Sequence, residues 1–277
     1  MLLLVVGADR VDAGKTTFSV GLLARTGGTG YKPRAGNDYW FDHDDCRHAI
    51  ADGRLYGKDA KRLADAEGRG RGPEDLNPVH RLWRPAPGGG SGLLGRADRE
   101  FLVDRVGRPD GDDVTYVRNA TAEVPDPVAD SLPLEDAITV ETVEELNEVS
   151  AERYVPAFED LAAEVEARDL AVVESYGDIA LPLASLDPAA VAAVAVVEPG
   201  RATLYRGDRY CRACEIASSS PVDGALEKRV GDVVDYLEPF DRVRLPPLGS
   251  DARADPGRIA DAYGEAYDAL LAAARER

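Results

Sequence analysis

The chain has 277 residues, enough to bury a sizeable core, and carries a formal charge of −18 at pH 7 from 33 basic and 51 acidic residues. That charge repels nucleic acid and anionic membrane surfaces, so neither is expected as a partner. Its three cysteines (Cys46, Cys211, Cys214) and the lack of a signal-peptide pattern point to a reducing cytoplasm, and no stretch is long and apolar enough to span a bilayer.

The first seventeen residues, MLLLVVGADRVDAGKTT, hold most of the functional signal. Leu2 to Val6 read as a buried strand. A polar loop follows, then Gly14-Lys15-Thr16-Thr17 opens an amphipathic helix. Strand, loop and helix in this order suit a phosphate-binding loop: backbone N–H groups and the helix dipole face an anion, Lys15 adds a point charge, and the Thr16 hydroxyl is placed to ligate Mg²⁺. The spacing is stretched, with six residues between Gly7 and Gly14 and Asp9 where the usual first glycine would fall. Asp9, Asp12, Ala13, Gly14, Lys15, Thr16 and Thr17 are the expected nucleotide-binding residues.

Gly27-Gly28 stops the first helix, and Tyr31-Lys32 end a second strand. From Pro33 the chain reads as a polar, aromatic loop. Cys46 to Glu67 is helical in pattern, interrupted at Gly53 and Gly57. The stretch 68–95 is rich in Gly, Pro and Arg, with GGGSG at 88–92 as a connector. REFLVDRVG and VTYVRNA read as a hairpin, and 121–135 as an acidic loop. A long helix is expected over 143–168, kinked or broken at Pro156. Buried strands ending at Glu174 and near Glu198 follow, then the helix ALEKRVGDVVDYL, the strand DRVRL, the loop PPLGSDARADP and a closing helix. The alternation of apolar strands with helices predicts an α/β fold with a mainly parallel sheet and helices on both faces. The expectation is one P-loop NTPase domain over 1–277 with an irregular insertion at about 68–120.

In such sheets ligands sit beyond the carboxyl ends of the strands, which gathers the polar residues there into one crevice. Glu174, ending a buried strand beside the P-loop, is a candidate Mg²⁺ ligand with Thr16. Lys32 is a second cation for charge developing on a transferred phosphoryl group, so Lys15 and Lys32 are the candidate catalytic residues. The acidic loop holding Asp38, Asp42, Asp44 and Asp45, with His43 and His48, offers another hard-oxygen ligand, with Asp42 the first choice. Asn37, Asp38 and Tyr39 are candidates to face a substrate; Tyr39 and Trp40 read equally as packed aromatics. Cys211-Arg-Ala-Cys214 supplies half a tetrahedral metal site and reads as two ordinary thiols on a helix.

Only five residues are lysine against twenty-eight arginines, and the carboxylates are dispersed along the chain. That composition resembles proteins of extreme halophiles and implies stability that rises with salt. Four segments resemble the dethiobiotin synthetase branch of the P-loop NTPases, in the class that includes MinD/ParA-type ATPases. They are GADRVDAGKTT, YKP at 31–33, VVESYGDIALPL at 172–183 and RLPPLGSD at 244–251. The resemblance does not extend to 68–120, and Ser175-Tyr176 stand where that family has Gly-Ala. It implies a three-layer, Rossmann-like fold and an ATP- and Mg-dependent enzyme that phosphorylates or ligates a small acceptor. It puts Glu174 on the metal and Pro247, Leu248 and Gly249 on the base. The alternative it leaves open is a MinD/ParA-type nucleotide switch that forms a homodimer and acts on a protein or metal partner, with Arg10 and the cysteine pair as its support; ATP and GTP both remain open.

Overall fold

The computed structural model describes residues 1–8, 13–41, 43–86, 92–94, 98–108, 114–217 and 228–276. In chain order, β1 (Leu2–Gly7), α1 (Lys15–Thr26), β2 (Thr29–Tyr31) and β3 (Arg34–Asp38) lead to α2 (His43–Ala51) and α3 (Lys58–Glu67). Strands β4 (Val79–Pro85), β5 (Arg99–Val106) and β6 (Thr115–Asn119), the short α4 (Asp126–Ala129) and β7 (Ile138–Val140) follow. Next come α5 (Val143–Val149), a π-helical turn (Ser150–Tyr154), α6 (Val155–Glu166), β8 (Ala171–Glu174), β9 (Val191–Glu198) and β10 (Arg201–Arg206). The chain closes with α7 (Gly207–Ile216), α8 (Val230–Val234), β11 (Asp241–Arg244), α9 (Ser250–Arg253), α10 (Pro256–Ala262) and α11 (Gly264–Arg275).

These elements form two compact units. Unit 1 comprises residues 1–33, 62–70 and 162–277; unit 2 comprises 34–61 and 71–161. Where the sequence suggests one domain with an irregular insertion at about 68–120, that stretch carries β4, β5 and β6, three strands of a second sheet. Of the loop expected from Pro33 onward, Arg34–Asp38 is strand β3, and Tyr39 to Phe41 lie beyond its end.

The sheet of unit 1 has the order β11-β10-β9-β1-β8-β2. β1 is its organising strand: Leu3, Leu4, Val5 and Val6 have no exposed surface, and β1 pairs in parallel with both β8 and β9. β2 adds in parallel to β8. The expectation of a mainly parallel sheet holds for these four strands and ends there, because β10 runs antiparallel to both β9 and β11. The reason is local: Pro199-Gly200, with Gly200 at φ 82°, turns the chain straight back from β9. Helices cover both faces of β9. Val196 faces the cleft under α8, whereas its neighbour Val197 faces Gly14 and Tyr263, at the junction of α10 and α11. On that second side Phe18 of α1 packs edge-on against Tyr267 of α11 at 4.9 Å.

Unit 2 is built on the sheet β3-β4-β5-β6-β7, parallel at its two edges and antiparallel in the middle. One apolar cluster gathers Leu82, Leu102 and Tyr116 with Ile50 and Leu55. Another gathers Val79, Trp83 and Phe101 with Leu146 and Tyr154. The helix expected at 143–168 is continuous through a π-helical turn immediately before Val155-Pro156, which absorbs the proline without a break.

Candidate functional site

The carboxyl ends of β1, β8 and β2 are in register, with Val5 opposite Glu174 and Tyr31 opposite Val173. Lys32, directly after β2, and Glu174, the last residue of β8, therefore fall side by side. α1 starts at Lys15 from Gly14, which is left-handed at φ 84°, a conformation that favours glycine. Gly14 has no side chain to cap the helix, and the first turn of α1 carries no acidic residue. The positive end of the α1 dipole is thus not offset by a carboxylate of its own first turn.

Glu174 has no exposed surface, and Lys32, Lys15 and Thr16 are 3, 8 and 9% exposed. Oε1 of Glu174 accepts a hydrogen bond from Thr16 Oγ1 at 2.8 Å and another from Lys32 Nζ. Lys32 Nζ also reaches the Ser175 carbonyl at 3.5 Å. Oε2 of Glu174 and the Ser175 hydroxyl are buried with no hydrogen-bond partner among the described residues. The two candidate metal ligands Thr16 and Glu174 and the candidate catalytic Lys32 are therefore brought together at the start of α1. A buried carboxylate oxygen without a donor beside a threonine hydroxyl is a donor set that fits a hard cation.

A cleft of about 260 Å³ opens beside this helix start. It is lined by Ala13, Gly14, Glu198, Gly200, Pro247 and Tyr263, among others. Of the residues expected at a base, Pro247 lines the cleft. Leu248 and Gly249 are not among its walls, and Gly249 instead precedes α9. Thr17 is half-buried in the first turn of α1. Asp9, Arg10, Asp12 and Asp42 lie outside the described residues, and so do the expected roles that rest on them.

Asn37, Asp38 and Tyr39 belong to unit 2. Asn37 is 5% exposed on β3, opposite Leu82 of β4. Asp38 Oδ1 accepts from the backbone N–H groups of Trp40 and Phe41, at 2.9 and 3.2 Å, so this oxygen holds a turn. Tyr39 packs on the cluster around Leu82 and Ile50, while Trp40 is 73% exposed. In the acidic segment Asp45 pairs with Lys58 at 3.3 Å. Among the described residues no three His, Cys, Asp or Glu side chains are grouped to hold a metal ion.

Cys211 and Cys214 are buried thiols on α7. Burial, with the carboxylates of Glu215 and Asp208 nearby, pushes Cys211 up to about 11. Burial and Cys211 push Cys214 up to about 12. Neither is a ready thiolate, which fits two ordinary thiols on a helix.

Sequence reasoning missed the buried polar groups of unit 2. Arg81 Nε donates to Asp104 Oδ1 at 2.7 Å, and Asp104 also accepts from Tyr154 Oη. Arg105, 2% exposed, donates to the carbonyls of Leu55, Asn77 and Gly107. His80 lies opposite Arg105 in the sheet with no exposed surface; burial and the Arg105 cation push its imidazole down to about 3. The alternation of charged with apolar residues in VHRLWRP was the available signal. No family model, no curated protein and no solved structure matches the chain.

Proposed function

We propose that unit 1 binds a nucleoside triphosphate and Mg²⁺ at the start of α1 and passes the γ-phosphoryl group to a small acceptor. The observation that carries the reading is Glu174: one carboxylate oxygen held by Thr16 and Lys32, the other buried without a donor among the described residues, at the end of a strand next to Gly14-Lys15. In this reading the backbone N–H groups at the start of α1 and the Lys15 ammonium hold the β- and γ-phosphates. Thr16 and Glu174 would hold the Mg²⁺, which supplies charge neutralisation across those phosphates. Lys32 stabilises the equatorial oxygens as the bond from phosphorus to the β-phosphate oxygen breaks and the bond to the acceptor oxygen forms; the nucleoside diphosphate leaves. The base occupies the cleft between Glu198-Pro199-Gly200 and Pro247.

The test is calorimetry of ATP and GTP, separately, into wild type and Lys15→Ala in molar KCl with Mg²⁺. Binding of one nucleotide that falls about 100-fold or more in the variant is expected, since charge-assisted phosphate contacts are lost. A folded wild type that binds neither, or a variant that binds as wild type does, overturns the assignment.

A further inference from the structure

Strands β9, β10 and β11 carry a second cleft on the face toward α8. Thr203 lies directly opposite Val196 on one side and Arg242 on the other, so the three side chains form one cross-strand row. The cleft over this row has a volume of about 250 Å³, room for about eight waters at about 30 Å³ each. Its apolar wall is Val196, Val230, Val234 and Leu237.

Three polar groups line it without partners among the described residues. Tyr205 and Thr203 are 5 and 9% exposed, and neither hydroxyl makes a hydrogen bond. Burial raises the Tyr205 phenol above its ordinary value, so it stays protonated and can donate. The guanidinium of Arg242 has no ion pair, although the chain carries 51 acidic residues against 33 basic ones. Arg201 at the rim is held by Glu198. Two hydroxyls on largely buried side chains that open to the cleft, beside an exposed arginine without an ion pair among the described residues, are chemistry for an oxyanion, and the valine and leucine wall is chemistry for a short hydrocarbon.

We propose that this cleft binds a small amphipathic oxyanion, a carboxylate or phosphate ester with a short apolar chain. Arg242 and the hydroxyls of Tyr205 and Thr203 take the head group, and Val230, Val234 and Leu237 take the chain. The ligand acts as an effector, seated beside Ala8, the residue after β1, which also lines the cleft. In the strand order β11-β10-β9-β1-β8-β2, Glu174 lies on the far side of β1 from Thr203 and Arg242. Glu198 lines both this cleft and the one assigned to the base, so an anion that draws Arg201 away from Glu198 alters the wall of the nucleotide cleft. Only that coupling rests on the nucleotide reading; the binding does not.

Hexanoate, hexyl phosphate, hexanol and inorganic phosphate are titrated by calorimetry into wild type, Arg242→Gln, Tyr205→Phe and Lys15→Ala at one salt concentration. Hexanoate or hexyl phosphate, whichever head group the site prefers, binds wild type and Lys15→Ala alike. Binding weakens about tenfold in Arg242→Gln and severalfold in Tyr205→Phe, as expected for lost hydrogen bonds to a charged group. Hexanol and inorganic phosphate each bind at least about tenfold more weakly than the better amphipathic anion. The proposal is overturned if neither amphipathic anion binds at up to about 10 mM. It also fails if Arg242→Gln binds as wild type does, or if hexanol or inorganic phosphate matches the amphipathic anion. Binding retained in a Lys15→Ala variant that has lost nucleotide separates this site from the failure or success of the other.

Discussion

Lys32→Met tests the Glu174 cluster as a unit. It removes the cation from a carboxylate with no exposed surface and leaves the Thr16 hydroxyl as its donor among the described side chains. Breaking a buried pair from one side costs about 3–5 kcal/mol, because the remaining charge stays desolvated and unpaired. Glu174→Gln should cost a similar amount by taking the carboxylate from the Lys32 ammonium, which is 3% exposed. The double variant leaves no buried charge in this pair and should return to within about 2 kcal/mol of wild type, since a buried pair replaced by neutral groups is often near neutral. Trp40 and Trp83 both lie in unit 2, so tryptophan fluorescence would miss the event. Urea unfolding followed by far-ultraviolet circular dichroism is the suitable assay. A Lys32→Met variant within about 1 kcal/mol of wild type, or a double variant whose loss equals the sum of the singles, refutes the reasoning. The restored double variant should still fail in turnover, which separates its role in stability from its role in chemistry.

Further expectations concern the buried groups elsewhere. His80 titrates near 3 when folded and near 6.5 when unfolded, so the folded state binds fewer protons between those values. Its contribution is complete above about pH 6.5 and shrinks by about 1.4 kcal/mol per pH unit as pH falls towards 3. The stability difference between wild type and His80→Leu, read by Trp83 fluorescence in urea, should show that slope between about pH 6 and 4; parallel profiles would exclude it. Arg105→Met strands the carbonyls of Leu55, Asn77 and Gly107 and should destabilise unit 2 by roughly 3–5 kcal/mol in the same assay. With Cys211 and Cys214 raised to about 11 and 12, iodoacetamide at about pH 8 should label either in the folded protein at least about 100-fold more slowly than a free thiol. Mass spectrometry of timed samples checks this, and rapid labelling in the folded state would contradict it.

The parts of this molecule that could be read in advance are those where one residue's chemistry settles its place. The apolar runs at Leu2–Val6, Ala171–Val173 and Val191–Val197 became β1, β8 and β9, because a strand buried on both faces has no polar alternation to disguise it. Thr16, Lys32 and Glu174 could be assembled on paper because each ends or follows such a strand, or opens a helix. β3 and β4 could not. RAGND lacks β-branched and aromatic residues, and VHRLWRP carries a histidine and two arginines. Those arginines are satisfied by Asp104 and Glu100 on β5, partners about twenty residues away that no local pattern announces. The turn after β9 is hidden for a simpler reason: an apolar run ending near Glu198 shows where a strand stops, whereas the return through Pro199-Gly200 depends on pairing with the next segment. The second cleft is hidden with it, since Thr203 and Tyr205 lie on β10.

The central position of β1 also bears on how the chain is made. Its neighbours are β8 and β9, and Gly7 pairs opposite Val197. At about 5–20 residues per second the ribosome needs about 10–40 s to travel between those two positions. Until β8 is made the segment LLLVV is an apolar strand with neither edge paired, and until β9 is made one edge stays open. All of unit 2 is synthesised meanwhile, and its sheet uses only strands from within that interval. The strand that organises the first sheet is thus made well before either strand that houses it. Substitutions that delay pairing of β8 or β9 should therefore appear as aggregation of newly made chains, or as dependence on a chaperone, at a dose too mild to register in the stability of the finished protein.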